Sequence, residues 1–421
     1  MIISLSDIEA QLKNLPSPFA VAVSGGPDSL ALLHLVHAFA RKHQKKIFAL
    51  TVNHGLRRDS DKEALFVQKI AQDKEIPHAI LTWSETKPSS RIQEKARNAR
   101  YDLLLNWCKE NQVPTLLLGH HQQDQEETFW LRLSAGSGLE GLTGMKSRVN
   151  RDGIHVCRPL LTFSKERLTA TLEAEKQEWI EDPSNQNPAF FRARFREYLR
   201  EEGLTSTRLE AVMRKLQEDA DFIQSSLKEA LSQTVQHFEA GYFSIQKEAF
   251  ERLHPALAKR LISLLVRWFS KDSYPPRSTQ IDEILKRLQT SKAFTSGGAY
   301  WISKATEVLV IREVGEIKDK VSLATLEKPF LWDNRFWVDP SLKHSFSGEE
   351  TLLSPLKNHP LPKKEIVSSI PPSVWPTLPA LWQKGRIVSI PHLCYTVVKD
   401  ENHRKFFYLK PLFHDSLTLT I

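Results

Sequence analysis

The chain has 421 residues, 41% of them hydrophobic, and 58 Lys and Arg against 50 Asp and Glu give a net charge of +8. That length allows two or three domains with real cores, and the modest basic excess is compatible with a polyanionic partner without requiring one. No apolar run reaches about 18 residues and no signal-peptide pattern is present, so a soluble protein with no membrane partner is expected. Three scattered cysteines, Cys108, Cys157 and Cys394, exclude a disulfide framework or a zinc spacing and fit a reducing cytoplasm.

An apolar, β-prone run at 19–23 stops at Ser24-Gly25-Gly26-Pro27-Asp28-Ser29, and a helical apolar pattern then begins at Leu30. A strand, a glycine turn and a helix start present backbone N–H groups and the positive end of a helix dipole to one point. Gly25 and Gly26 have no Cβ to hold an anion off the backbone, and Ser24 and Ser29 add hydroxyl donors. Asp28 is out of place on a pure anion site unless a cation such as Mg²⁺ bridges it to phosphates. The segment is neither a Walker A loop nor Gly-x-Gly-x-x-Gly. A plain glycine turn is the alternative.

A second strand at 47–52 ends in Asn53-His54-Gly55-Leu56-Arg57, where Asn53 and His54 either hydrogen-bond a base or ribose or form only a polar loop. Ser60 caps a helix to about Lys74, and 78–82 is a third strand. Ser90 with Gln93 reads as a capping box opening a helix through Cys108. On that helix Glu94, Arg97, Arg100 and Tyr101 share one face, which serves equally as a solvated, salt-bridged surface. A fourth strand at 116–118 leads through Gly119-His120-His121 into a helix over about 124–133. Asp124 and Glu127 lie three apart on one of its faces. Two carboxylates there suit an amine-bearing substrate or a metal, with simple N-terminal capping as the alternative. Adjacent histidines make a poor zinc site.

The glycine-rich stretch 136–145 is either a mobile segment that orders over substrate or a long connection. Beyond Asp182-Pro183-Ser184-Asn185, Arg192, Arg194 and Arg196 alternate with small or aromatic residues. They suit the phosphates of a nucleic acid, or form an exposed basic helix.

Alternating strands and helices predict an α/β fold, a doubly wound parallel sheet whose ligands sit beyond the carboxyl ends of the strands. Ser24, Asn53 and Gly119 lie at such ends. Residues 206–290 read as mostly helical, followed by short strands at 299–302 and 308–312. Seven prolines between Pro355 and Pro379 mark a change of character in the last hundred residues, expected as a small α+β or β-rich domain.

Six segments in this order resemble the tRNA(Ile)-lysidine synthases, members of the N-type ATP pyrophosphatase (PP-loop) family. They are Ser-Gly-Gly-x-Asp-Ser at 24, Asn-His-Gly-Leu-Arg at 53, Glu-x-Ala-Arg-x-x-Arg-Tyr at 94, His-His-x-x-Asp-Gln-x-Glu-Thr at 120, Gly-Ser-Gly-Leu-x-Gly-Leu-x-Gly-Met at 136 and Asp-Pro-Ser-Asn at 182. The resemblance implies a Rossmann-like PP-loop catalytic domain over 1–203, a mostly helical substrate- or tRNA-binding domain over 204–318 and a C-terminal tRNA-binding domain over 319–421. It implies that ATP, with Mg²⁺, adenylates the wobble cytidine of a CAU anticodon in tRNA(Ile), and that L-lysine displaces AMP; a homodimer is left open. Carried over residue by residue, Ser24, Gly25, Gly26, Pro27, Asp28 and Ser29, with Asn53 and His54, meet ATP. Asp28 is the metal partner, Arg100 (or Arg97), Asp124 and Glu127 belong to the lysine and the reacting centre, and Arg97, Arg192, Arg194 and Arg196 are expected to face substrate or tRNA. Gln123 departs from the family's pattern, standing where the first of two adjacent aspartates is usual, and Asn187 stands where an aspartate is common. A thiolase of the same superfamily would need cysteines this chain lacks. A small-molecule amidating relative would not need the basic C-terminal regions, and a non-catalytic RNA-binding relative would not need an intact Ser24–Ser29 loop.

Overall fold

The computed structural model describes residues 2–55, 60–83, 92–151, 153–181, 207–270, 275–346, 350–360, 368–396 and 403–409. The chain divides into two compact units, Met1–Ala220 and Asp221–His414.

The first unit is built on a six-stranded sheet of order β3-β2-β1-β4-β6-β5. Its strands are β1 (Phe19–Ala22), β2 (Ile47–Asn53), β3 (His78–Thr82), β4 (Thr115–Leu117), β5 (Arg148–Arg151) and β6 (Ile154–Cys157). All neighbours pair in parallel except β5, which lies antiparallel on the β6 edge. Helices α1 (Leu5–Lys13), α2 (Pro27–His43), α3 (Ser60–Asp73), α4 (Ile92–Glu110), α5 (Gln122–Ser134), α6 (Leu139–Leu142) and α7 (Lys165–Ala174) complete it. Every residue of β1 is buried, as its unbroken Phe-Ala-Val-Ala requires of a strand covered on both faces. Phe19 and Val21 pack with Leu32 and Val36 of α2 and Leu168 of α7 on one face. Ala20 and Ala22 pack with Leu104 and Cys108 of α4 on the other. The chain winds outward from β1 to β3 and returns to β4 on the far side of β1, so the order reverses between β1 and β4. Ser24 and Gly119 lie just beyond those two strands, where an open α/β sheet leaves its ligand crevice.

Helix α8 (Thr207–Thr234) carries the chain into the second unit. There β7 (Val235–Phe238) and β8 (Tyr242–Gln246) form a hairpin, followed by α9 (Lys247–Glu251), α10 (Pro255–Phe269) and α11 (Ser278–Thr290). With β9 (Ala293–Ser296), β10 (Ala299–Ser303) and β11 (Glu307–Arg312) the hairpin completes an antiparallel sheet of order β7-β8-β11-β10-β9. The stretch expected to be mostly helical therefore also holds a sheet edge. Further on come β12 (Val321–Ser322), β13 (Phe330–Trp332), β14 (Phe336–Val338), β15 (Leu352–Pro355), β16 (Pro379–Gln383), β17 (Arg386–Ile390), β18 (Tyr395–Thr396) and β19 (Phe407–Leu409). They form sheets β12-β15-β16-β17-β18 and β13-β14-β19, linked by short 3₁₀ turns, so this part is β-rich. The sequence boundary at 318/319 falls inside the second compact unit. Among the described residues no helix is long and apolar enough to cross a membrane.

Candidate active site

The turn after β1 is shaped by glycine. Gly25 has φ +86°, a left-handed conformation, and a Cβ there would stand 3.0 Å from Ile180 Cδ1, whose own backbone N–H donates to the Gly25 carbonyl at 2.9 Å. Gly26 is the N-cap of α2 and Pro27 its first residue, with Asp28 in the first turn, as helix N-termini favour. Ser29 Oγ donates to the Gly26 carbonyl (3.0 Å) and accepts from Ser24 N–H (3.1 Å), while the two serine hydroxyls lie 3.3 Å apart. The cradle is thus braced from inside, with free helix N–H groups at its mouth. Gly119, at the end of β4, is needed for close approach: a Cβ there would come within 3.1 Å of the Asp28 carbonyl oxygen and Ser29 Cα.

That approach brings His121 to Asp28. His121 is the N-cap of α5. Its Nδ1 accepts the Gln123 N–H at 3.2 Å, a contact only the neutral ring makes, which places that ring's proton on Nε2. Nε2 lies 3.5 Å from Asp28 Oδ2 and 3.7 Å from Asp124 Oδ2. Burial disfavours the charged ring, but the two carboxylates outweigh it and raise the His121 pKa above its ordinary value. Asp28 Oδ1 is buried without a hydrogen-bond partner. Asp124 Oδ2 also accepts the His121 backbone N–H at 3.0 Å, so Asp124 caps α5 as well as facing the imidazole. Glu127, one turn on, is buried with 6% of its surface exposed.

A cavity of about 510 Å³ opens beside the cradle, lined by Ser24, Gly26, Pro27 and Asp28, by His54 and by Arg100 of α4; His121, Asp124 and Glu127 are not among its lining residues and meet it only through the His121–Asp28 contact. Burial lowers the Arg100 pKa, and among the described residues no carboxylate pairs with it. His120 is held well below the ordinary histidine range by burial and then by Arg158, Arg100 and Arg97, so it sits neutral in a basic wall. Arg97 itself is exposed on α4.

Asn53 stands apart from this group. Its Nδ2 donates to Asp61 at 2.6 Å and its Oδ1 accepts the Gly55 N–H at 2.9 Å, so its amide fastens β2 to α3 and does not line the cavity. The glycine-rich stretch 136–145 is tied down. Gln125 of α5 donates to the Met145 carbonyl (2.8 Å) and accepts its N–H (2.6 Å), and Arg132 donates to the carbonyls of Gly141 and Gly144 at 2.8 and 2.9 Å. Arg57, 182–185, Asn187, Arg192, Arg194 and Arg196 lie outside the described residues.

Residues 5–202 match the PP-loop domain family. A tRNA(Ile)-lysidine synthase of Wolbachia sp. subsp. Brugia malayi is 32% identical over 382 residues, 89% of this chain and 88% of that protein. The chain belongs to the tRNA(Ile)-lysidine synthase family. Similar proteins of the same name occur in Anaplasma marginale, 32% identical over 83% of this chain and 77% of that one, and in Ruegeria pomeroyi, 33% identical over 77% and 76%.

In this lysidine synthase family member, sequence reasoning missed Lys165 and Thr169 of α7 and the segment Trp179, Ile180 and Glu181, all of which line the cavity. No local signal marks them, because α7 reaches the site only by packing against α2 and the sheet. It also missed Glu126. Burial, and then Glu210 of α8, push this carboxyl up to about 7. Glu127 and Glu166 add to the shift and His121 opposes it. A carboxyl whose pKa is raised by folding opposes the folded state once ionised, so stability falls as pH rises from the ordinary carboxylate range through about 7. Glu126→Gln should therefore add about 1–2 kcal/mol at pH 8, after discount for solvent at a half-buried group, and little near pH 4.5. Urea unfolding of both proteins at the two pH values checks this, and an equal difference at both would refute it.

Proposed function

We propose that this chain uses ATP to adenylate the 2-keto oxygen of the wobble cytidine in tRNA(Ile) bearing a CAU anticodon, and that the amine of L-lysine then displaces AMP to give lysidine. The observation that carries this is the contact line from the anion cradle through Asp28 and His121 to Asp124. One imidazole touches both the carboxylate beside the nucleotide and the carboxylate on the helix face suited to an amine.

Each part has a physical task. The N-terminus of α2, with Ser24 and Ser29, receives the triphosphate. The unpartnered oxygen of Asp28 fits Mg²⁺, which is commonly held by one or two carboxylates together with substrate phosphates. Among the described residues no group of three or more acidic, His or Cys side chains could hold an ion by itself, so Asp28 would hold it only together with substrate phosphates. When bound, the ion neutralises charge on the departing pyrophosphate. Arg100 offers a charge-assisted contact to the phosphate kept in the adenylate. His121 fixes the two carboxylates relative to one another, and Asp124 with Glu127 attracts the lysine ammonium. The attacking amine must be neutral against an unperturbed pKa of about 10.4, which makes proton removal part of the second step. A sulfur-transfer reading is disfavoured, because Cys108 and Cys157 of the first unit are buried, burial pushes the Cys108 thiol up to about 12, and the exposed Cys394 is a lone cysteine of the second unit.

The decisive experiment is mass spectrometry of tRNA(Ile) with a CAU anticodon after incubation with ATP, Mg²⁺ and lysine. One cytidine should gain a lysine less a water, with one AMP and one pyrophosphate per modification. Unmodified tRNA under these conditions would sink the proposal. Within it, Asp124→Asn keeps a capping residue and removes the charge, so kcat/KM for lysine should drop about 10- to 100-fold with tRNA affinity unchanged. An unaltered lysine KM and rate would remove Asp124 from the amine site.

A further inference from the structure

Lys165 lines the nucleotide cavity with Ser24 and Asp28, yet the function above gives it no task. It is the first residue of α7 and is exposed, and with the described residues its ammonium makes no ion pair. Glu63 and Glu181 also line the cavity, but neither lies within ion-pair distance of it. Lys165 and Asp28 line the same cavity, and the Lys165 charge weakly opposes protonation of His121, the partner of Asp28. The backbone beneath it is fixed from α5. Gln123 Oε1 accepts the Lys165 N–H at 3.0 Å, and Gln123 Nε2 donates to Glu166 Oε2 at 3.4 Å. A second brace is the Gln122 N–H donating to the Phe163 carbonyl at 3.0 Å.

This arrangement gives the amide at position 123 a use that a carboxylate could not serve. An aspartate could accept the Lys165 N–H but would set its charge against Glu166, whereas glutamine accepts from one and donates to the other. We propose that Lys165 binds the β- and γ-phosphates of ATP, and so the pyrophosphate product, and that Gln123 is the positioning residue that holds the start of α7 at the cavity wall. A compact point charge on a flexible stem suits a pyrophosphate whose geometry changes as it leaves. The inference rests on the ATP-to-AMP reading of the site.

The test is calorimetric binding of ATP, inorganic pyrophosphate and AMP to the full chain. Lys165→Met should weaken ATP and pyrophosphate about 10- to 50-fold while AMP affinity stays within about twofold, because AMP lacks the phosphates concerned. Lys165→Arg should recover most of the loss. Gln123→Ala should shift ATP and pyrophosphate in the same direction by a smaller factor, and should add little in the Lys165→Met background, since the two residues act in series. Wild-type pyrophosphate affinity in Lys165→Met, or an equal loss of AMP, would overturn the proposal. Wild-type protein that binds neither ATP nor AMP would overturn the functional reading itself, which separates the two failures.

Discussion

Asp28→Ala should cut lysine- and tRNA-dependent AMP release by about 10³-fold or more, while tRNA affinity changes less than about twofold. The size follows from what the side chain touches. One oxygen is buried without a partner beside the phosphate cradle, and the other faces His121 Nε2 at 3.5 Å. Its removal takes away the one cradle carboxylate that can share a cation with the triphosphate and releases His121 from one of the two groups that raise its pKa. The fold has little stake in it. The N-cap of α2 is Gly26, and α2 is anchored by Leu30, Leu32, Leu33 and Val36 in the core, so only a first-turn dipole contribution of about 0.3–1 kcal/mol is lost. A variant that unfolds would show the loss in tRNA binding and in melting temperature together. The expected result is lost chemistry with both retained. Turnover near the wild-type level would remove Asp28 from the nucleotide site.

Asp28 could be read from the sequence because everything that places it is local: a buried strand, a glycine turn and a helix start within about a dozen residues. The same holds for Asp124, which lies three residues after the N-cap of its own helix. Lys165 could not be read, since its position depends on Gln123 reaching it across 42 residues of chain. Asn53 has local partners that its position at a strand end does not reveal. A polar residue at a strand end in an α/β sheet suits a ligand, but Asp61 and Gly55 lie close enough to use both ends of its amide. In the second unit, the β7–β8 hairpin was hidden because β7 follows α8 at Thr234 without a break, and apolar residues at helical spacing run up to it. The signal was there in Glu239-Ala240-Gly241, a three-residue loop with Gly241 at φ +73°, between Phe238 and Tyr242, whose rings stack at 4.4 Å.

The largest stability effect is expected in the second unit, at Asp333. Its carboxylate is fully buried and accepts from Arg312 Nε at 3.1 Å and from Arg335 Nε at 2.7 Å, both guanidiniums being buried as well. The other hydrogen bonds of those arginines go to backbone carbonyls, apart from one from Arg335 Nη1 to Thr377 Oγ1 at 3.4 Å. Arg312 reaches the carbonyls of Gly298 and Glu316 at 2.8 and 3.2 Å, and Arg335 reaches those of Thr377 and Gly241 at 2.6 and 3.3 Å. Three charges therefore join the β7–β11 sheet to the C-terminal strands. Burial pushes the Arg335 pKa down to about 10, with Asp333 opposing the shift. Without Asp333 the two cations would face one another in a dry interior. Asp333→Asn is the informative variant, because asparagine tolerates the positive φ of +46° at this turn position and changes only the charge. Breaking a buried ion pair from one side costs about 3–5 kcal/mol. For a unit of this size that lowers its melting temperature by about 6–20 °C, measurable by calorimetry. Adding Arg335→Met to Asp333→Asn should recover part of the loss, since one uncompensated charge leaves with the guanidinium, whereas independent effects would make the double variant worse than either single one. ATP binding, which belongs to the first unit, should survive in Asp333→Asn at temperatures below its transition. Loss of nucleotide affinity in step with this destabilisation would instead mean that the two units fold as one.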